Sequence, residues 1–476
     1  FSDIDLAAGT SYSYRVRATD AAGNFSSYSI VASATTTSPG PGDTTPPDAP
    51  ANLTATAAGA SVINLSWDPS FDNVGVTGYI VRRNGLRVAT PVTTSYADTG
   101  LLPGTTYRYT VAAFDAAGNN SQLSTGALAT TTGTPPKPPP PIPPTLGWYE
   151  IPNTQLRAVC ADVLFPEVRG STGCWSVTGA WSGGVMDTAR NRLIIWGGGH
   201  SNYAGNEVYA LNLDTLTLVR LNDPSTPIRD GCSNGRTYAD GKPVSRHTYN
   251  HLAYLPAQDA MFAWGGSMWQ CGTQGDDAWL LNFPSLSWTK ISSASGPVGN
   301  VFAIGAAYDP NTGFVYATNW TSLSSYNPST DTWTVRSGAG IGEVAAVIDP
   351  VRKKYFMHEA SHGSTLYWYD ISKPTGSVSL QSAPTTGCSS FLGNGRAYGV
   401  GMEYDPVQDR IVGWNGGDTV YILNPDTLSC TTVSYPGGPS AHPLGTYGRF
   451  RYSPNLNVFV VCNDVDENCS TLRLTP

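Results

Sequence analysis

Asp309-Pro-Asn-Thr-Gly-Phe-Val-Tyr-Ala-Thr318, followed by Asn327-Pro-Ser-Thr-Asp-Thr-Trp-Thr-Val335, is the stretch whose reading decides the fold. Each half is a tight turn built from Asp or Asn, Pro and Ser or Thr, then a short run rich in Val, Tyr, Thr or Trp. Turns of that chemistry between runs of that kind predict short antiparallel strands. The first turn recurs as Asp187-Thr-Ala-Arg-Asn191, Pro256-Ala-Gln-Asp259, Asp349-Pro-Val-Arg352, Asp405-Pro-Val-Gln-Asp409 and Ser453-Pro-Asn-Leu456. The second recurs at Leu213-Asp-Thr215, Phe283-Pro-Ser285 and Asn424-Pro-Asp-Thr427. A Gly-rich or polar loop separates the two turns, as in Trp196-Gly-Gly-Gly199 and Trp264-Gly-Gly266, and Trp288 and Trp333 mark fourth strands. Four strands repeating every 40 to 50 residues or so predict a β-propeller over residues 145–476, with six blades counted and seven possible. The last blade has three strands of its own. Gly147-Trp-Tyr-Glu-Ile151 is expected to supply its outer one.

Upstream, a different repeat appears. Gly9-Thr-Ser-Tyr-Ser-Tyr-Arg-Val-Arg-Ala-Thr-Asp-Ala-Ala-Gly-Asn24 matches Gly104-Thr-Thr-Tyr-Arg-Tyr-Thr-Val-Ala-Ala-Phe-Asp-Ala-Ala-Gly-Asn119. Tyr and Val alternate with polar residues, as on a half-buried strand, and Ala-Gly-Asn closes a hairpin. With Val62–Trp67, Gly78–Arg83 and the Leu102-Pro-Gly-Thr-Thr-Tyr107 corner, residues 49–132 resemble a fibronectin type III domain. Residues 1–37 resemble the C-terminal part of another copy and suggest a fragment of a longer precursor. Residues 38–48 and 133–144 are linkers, the second proline-rich and therefore stiff.

Composition narrows the function. The net charge is -8 and only 13% of residues are charged. Without a Lys/Arg run, nucleic acid is excluded as a partner. No apolar run reaches the length of a membrane span. The eight cysteines form no CxxC pair, so disulfides in an oxidising, extracellular compartment are expected, with Cys462–Cys469 as the leading pair. The signal-peptide pattern is absent at Phe1–Asp5, no cofactor is implied although a structural metal ion is allowed, and a monomer is expected.

The chain has six histidines, and three lie in Trp196-Gly-Gly-Gly-His200 and Arg246-His-Thr-Tyr-Asn-His251. In a propeller, the loop between second and third strands and the approach to a first strand meet at one mouth. His200, Arg246 and His247 are therefore expected together, with Tyr249 and His251 below them on one strand face. Such a cluster suits acid–base chemistry, which makes His200, Arg246, His247 and Tyr249 the catalytic candidates. Equivalent positions give the substrate-binding candidates Trp181, Tyr203, Trp269, Asn319, Trp320, Glu343, His358, Arg396, Trp414 and Arg449. Trp stacks on sugar faces, while Arg and Asn bind hydroxyls and carboxylates. His358-Glu359 with His362 has metal-like spacing, but it falls in a loop, so no metal ligand is assigned.

The Trp-Gly-Gly and Asn-Pro-x-Thr pieces resemble kelch repeats. Gly197-Gly-Gly-His-Ser-Asn-Tyr203 and Ser245-Arg-His-Thr-Tyr249 resemble secreted propeller polysaccharide lyases of the ulvan and rhamnose–glucuronate type. That resemblance implies β-elimination on an acidic, uronate-containing polysaccharide. Arg246 and His200 would neutralise the uronate carboxylate, and Tyr249 or His247 would serve as base and acid. The alternatives are a glycan-binding or adhesion protein with fibronectin spacers and a hydrolase using Glu343 and Glu359.

Overall fold

The structure is a computed structural model that describes residues 10–20, 22–36, 43–136, 141–226, 228, 236–271, 277–292, 305–359, 363–388 and 399–476. It divides into two compact units, Phe1–Lys137 and Pro138–Pro476, and the division falls inside the proline-rich segment 133–144.

In the first unit, Thr54–Ala57, Val62–Ser66 and Ser95–Thr99 form one sheet. Leu86–Ala89, Val76–Arg83, Thr106–Asp115 and Ala127–Thr130 form the other. Alternation along the strands sends Ile63, Leu65, Tyr79, Val81, Tyr109 and Val111 inward around Trp67. The corner holds as its sequence implies: the Leu102 amide donates to the Tyr107 hydroxyl at 3.0 Å. Seven strands in two sheets are the fibronectin type III arrangement. The hairpin Ser11–Tyr14 with Ala32–Thr35 stands as a two-stranded sheet of its own.

The second unit holds six four-stranded antiparallel sheets among the described residues. Their first strands are Gly183–Asp187, Leu252–Leu255, Gly305–Asp309, Val344–Asp349, Gly401–Asp405 and Phe450–Ser453. The repeated Asp explains the repeated turn. Asp187, Asp309, Asp349 and Asp405 are buried at strand ends. Each accepts a turn amide, for example Asn311 N at 3.0 Å and Val351 N at 2.9 Å. That short-range bond is why Asp and Asn punctuate the pattern.

Each sheet buries both faces against its neighbours. Val185, Trp196 and Ala210 pack on Leu252, Met261 and Leu281 of the next sheet. The same relation links the second and third sheets, the third and fourth, the fourth and fifth, and the fifth and sixth. Val460 and Cys462 of the sixth sheet share a cluster with Leu193, Ile195 and Leu211 of the first. Gly147–Glu150 pairs antiparallel with Ser470–Arg473, so the first strand of this unit completes its last sheet. The irregular stretch after it forms short helical turns, Leu156–Val159, Pro166–Val168, Gly173–Trp175 and Ser176–Gly179. Disulfides join Cys160–Cys174, Cys388–Cys430 and Cys462–Cys469.

Candidate functional site

Four bulky residues approach first strands with left-handed backbone: Trp181 (φ 47°), Tyr249 (41°), Glu343 (53°) and Tyr447 (47°). His200 shares this conformation at φ 52°. Left-handed backbone is costly for residues with large side chains and gathers at functional sites. Here these residues meet. The Tyr249 amide donates to the Trp181 carbonyl at 2.6 Å. The Tyr249 and Tyr447 rings stand edge to face at 5.5 Å. Burial, then Tyr447 and Glu343, pushes the Tyr249 phenol well above its ordinary value.

Histidines extend the cluster. His247 lies 5.1 Å from the Trp181 ring, 5.7 Å from His200 and 6.0 Å from Tyr249, centroid to centroid. Tyr249 stacks on His251 at 5.2 Å. His247 Nε2–H donates to Asn202 Oδ1 at 3.3 Å, which leaves Nδ1 as the lone-pair nitrogen. Burial, aided by His200, lowers His247 to about 3, so its imidazole is neutral at ordinary pH. His200 is exposed at the rim.

The local backbone differs from the expected strand. Residues 246–251 are irregular and the strand begins at Leu252. The Tyr249 amide turns to Trp181 and the His251 amide closes a turn on Thr248 O. A simple two-residue alternation therefore does not apply, although the rings still stack. Glycines let the two segments approach. A Cβ on Gly199 (φ 37°) would lie 2.3 Å from Arg246 Cα, and one on Gly266 (φ 95°) would lie 2.2 Å from His247 O. The Gly-rich loop is thus a close-packing device.

Arg246 departs from its expected place at the mouth. It is buried and forms a two-pronged ion pair with Asp277, Nη1 to Oδ1 at 2.9 Å and Nη2 to Oδ2 at 3.2 Å. Asp277 also accepts from Trp279 Nε1 at 2.6 Å. A guanidinium held this way anchors the segment that carries His247.

Several other candidates turn inward because interior partners satisfy them. Tyr203 donates to the buried Glu207 at 2.7 Å. Trp414 donates to Gly417 O at 2.9 Å within the core between the fifth and sixth sheets. Asn319 accepts from the amides of Thr321 and Ser322, tying its own loop. His358 is buried and pairs with Gly363 O at 3.3 Å. Trp269 packs in the core beside the first sheet. Arg449 is buried and donates to Ser182 O and Gly445 O, bracing the sixth sheet on the first. Burial lowers its guanidinium to about 9. Trp320 is exposed and lies over Gly342, next to Glu343. Arg396 lies outside the described residues, as does His362.

Two participants escaped the sequence reading, and a further buried histidine lies apart from them. Tyr447 begins the short helical turn Tyr447–Arg449 and Asn202 sits in a loop, neither with a periodic signal. His442 packs 5.6 Å from Trp175 and accepts the Leu444 amide at Nδ1 (3.1 Å), which puts its proton on Nε2. Only its scarcity as a histidine could have flagged it. A separate cavity of about 210 Å³ runs along the first strands, lined by Leu252, Tyr254, Val347, Glu403 and Arg451 among others. No sequence-predicted site residue lines it.

Residues 48–127 match the Fibronectin type III domain model. The chain is 47% identical over 137 residues to Exoglucanase B of Cellulomonas fimi, covering 28% of this chain and 12% of that protein. It is 52% identical over 120 residues to Chitinase A1 of Niallia circulans, covering 25% and 17%. Among solved structures, Chitinase ChiA74 from Bacillus thuringiensis is 33% identical over 20% of this chain and 15% of that one, with a TM-score of 0.18. The chain thus spans less than a fifth of the curated relatives it matches here. Its fibronectin module is of the kind that bacterial chitinases and cellulases carry. Among the described residues, no helix is long and apolar enough to cross a membrane.

Proposed function

We propose that this is an extracellular carbohydrate-active protein whose second unit is a six-bladed β-propeller with its glycan site at the His200–His247–Tyr249 mouth. Six sheets in chain order, a shared core between the first and last, and the pairing of Gly147–Glu150 with Ser470–Arg473 support the propeller reading. Similarity to glucanases and chitinases and the disulfides support the extracellular, polysaccharide-directed one.

The chemistry that fits best is β-elimination on a uronate-containing polysaccharide. A base removes the proton beside the carboxylate, and an acid protonates the departing glycosidic oxygen. Tyr249 carries the acid role, because its raised phenol holds its proton. His200, exposed at the rim, is the base and the first contact for the uronate. His247 is too weakly basic in its buried state to be the base; held by Asn202, it packs between His200 and Tyr249. The observation that carries the proposal is the cluster of imidazole and phenol rings, His200 and Tyr249 on left-handed backbone, gathered around His247.

The test is incubation with a panel of uronate-containing glycans, following the ultraviolet absorbance of the unsaturated product. Tyr249→Phe should lower turnover about 10²-fold or more while leaving glycan binding intact, and His200→Ala should lower turnover by at least as much and weaken binding as well. Undiminished turnover in both would overturn the assignment. A second reading, glycan binding without catalysis, is favoured by the engagement of Arg246 with Asp277, which removes the expected partner of a substrate carboxylate. Binding with no unsaturated product would select it.

A further inference from the structure

In the first unit, three carboxylates from separate parts of the chain converge. Asp43 precedes the first sheet, Asp72 lies in the loop before Val76–Arg83, and Asp115 ends Thr106–Asp115. One oxygen of each lies within 4.8 Å of the others. Calcium–oxygen distances are about 2.4 Å, so two of them span about 4.8 Å, and one ion can reach all three.

Repulsion among three such charges demands a counter-charge, and among the described residues none of the three forms an ion pair with Lys or Arg. Asp72 adds an independent sign. Its Oδ2 accepts the Val74 and Gly75 amides at 2.9 and 2.7 Å. Its Oδ1 is sealed from solvent and meets no donor. A buried carboxylate oxygen without a partner is expensive to keep, unless a cation meets it. Asp115 is itself buried. Its Oδ2 accepts from Asn119 Nδ2 at 2.8 Å. The same Asn119 side chain donates to Asp43 O at 3.2 Å, drawing the chain before the sandwich toward the loop ends.

We infer that Asp43, Asp72 and Asp115 form a calcium site that ties the chain preceding the fibronectin sandwich to two of its loops. An all-oxygen set of carboxylates on loops suits calcium, which accepts irregular coordination, better than magnesium, which demands a compact octahedron and keeps its waters.

The experiment is calorimetric titration of the chelator-stripped full chain with calcium chloride, alongside thermal unfolding. The unvaried chain should bind with a dissociation constant on the order of 10⁻⁴–10⁻³ M, as extracellular modules do. Asp72→Asn keeps an oxygen for the Val74 and Gly75 amides but removes a charge, and Asp43→Asn alters a residue outside both sheets. Each should weaken this binding at least tenfold and abolish the calcium-dependent rise of the first unit's melting. Absence of calcium binding, or undiminished binding in both variants, would overturn the inference. Equal affinity for magnesium chloride would overturn the assignment to calcium.

Discussion

Replacing Arg246 by Met isolates a buried ion pair beside the His247 and Tyr249 cluster. The Arg246 and Asp277 side chains are each 1% exposed. The substitution removes both charged hydrogen bonds and leaves Asp277 with Trp279 Nε1 as its remaining side-chain donor. Breaking one partner of a buried pair costs about 3–5 kcal/mol, because the surviving charge stays desolvated. Removing both charges, as Arg246→Met with Asp277→Leu, leaves mainly the orphaned Trp279 donor, worth about 1–3 kcal/mol. The double variant should therefore recover a large part of the single variant's loss. Urea unfolding followed by tryptophan fluorescence reads this out, since Trp67 is the one tryptophan of the first unit. The pH dependence adds a signed check. Burial raises the Asp277 carboxyl, but Arg246 outweighs it and holds it low, so this stabilisation is present above the unfolded value of about 3.9 and lost as pH falls through the folded one. In Arg246→Met burial dominates, so the deficit relative to the unvaried chain should shrink on acidification. A single-variant loss below about 1 kcal/mol, or a double variant no more stable than the single, would refute the reasoning.

Other consequences are equally concrete. Folded His247 titrates near 3 and its unfolded form near 6.5, so its effect is nil above about pH 6.5, and stability should fall with pH between those values by up to about 1.4 kcal/mol per unit. A resonance assigned to His247, by its loss in His247→Gln, that titrates near neutrality would contradict that burial. Gly199→Ala forces a side chain into a left-handed position against Arg246 and should cost about 1–3 kcal/mol in the same unfolding assay, with Gly266→Ala similar. Loop-closure entropy makes the Cys388–Cys430 bridge, separation 42, worth about 4 kcal/mol, and Cys462–Cys469, separation 7, about 2.4 kcal/mol. Paired Cys→Ser variants should reproduce that order, and a larger loss from the shorter loop would contradict it.

The strand plan was legible because it is written in short-range chemistry. The Asp of each strand end binds a turn amide a few residues on, so the turns at Asp309 and Asp349 could be read without tertiary contacts. Trp67 and the Tyr107 corner announced the fibronectin module for the same reason. His200 and Trp181 pack on His247, from segments that the repeat pattern marked for their shared position, whereas Arg246 of the same segment turns to Asp277.

Orientation was decided by the packed interior. Arg246, Tyr203 and Trp414 carry the same side-chain chemistry whether they face a ligand or a core. Long-range partners such as Asp277 and Phe450 settle which they do, and Glu207, close in sequence to Tyr203, is itself placed by burial. Tyr447 meets Tyr249 because distant segments bring left-handed residues together, which no local pattern encodes. Local hydrogen bonding and periodicity thus determined the strands and their order. Burial and electrostatic pairing across the chain determined which side chains turn into the core and which stay in the His200–His247–Tyr249 cluster.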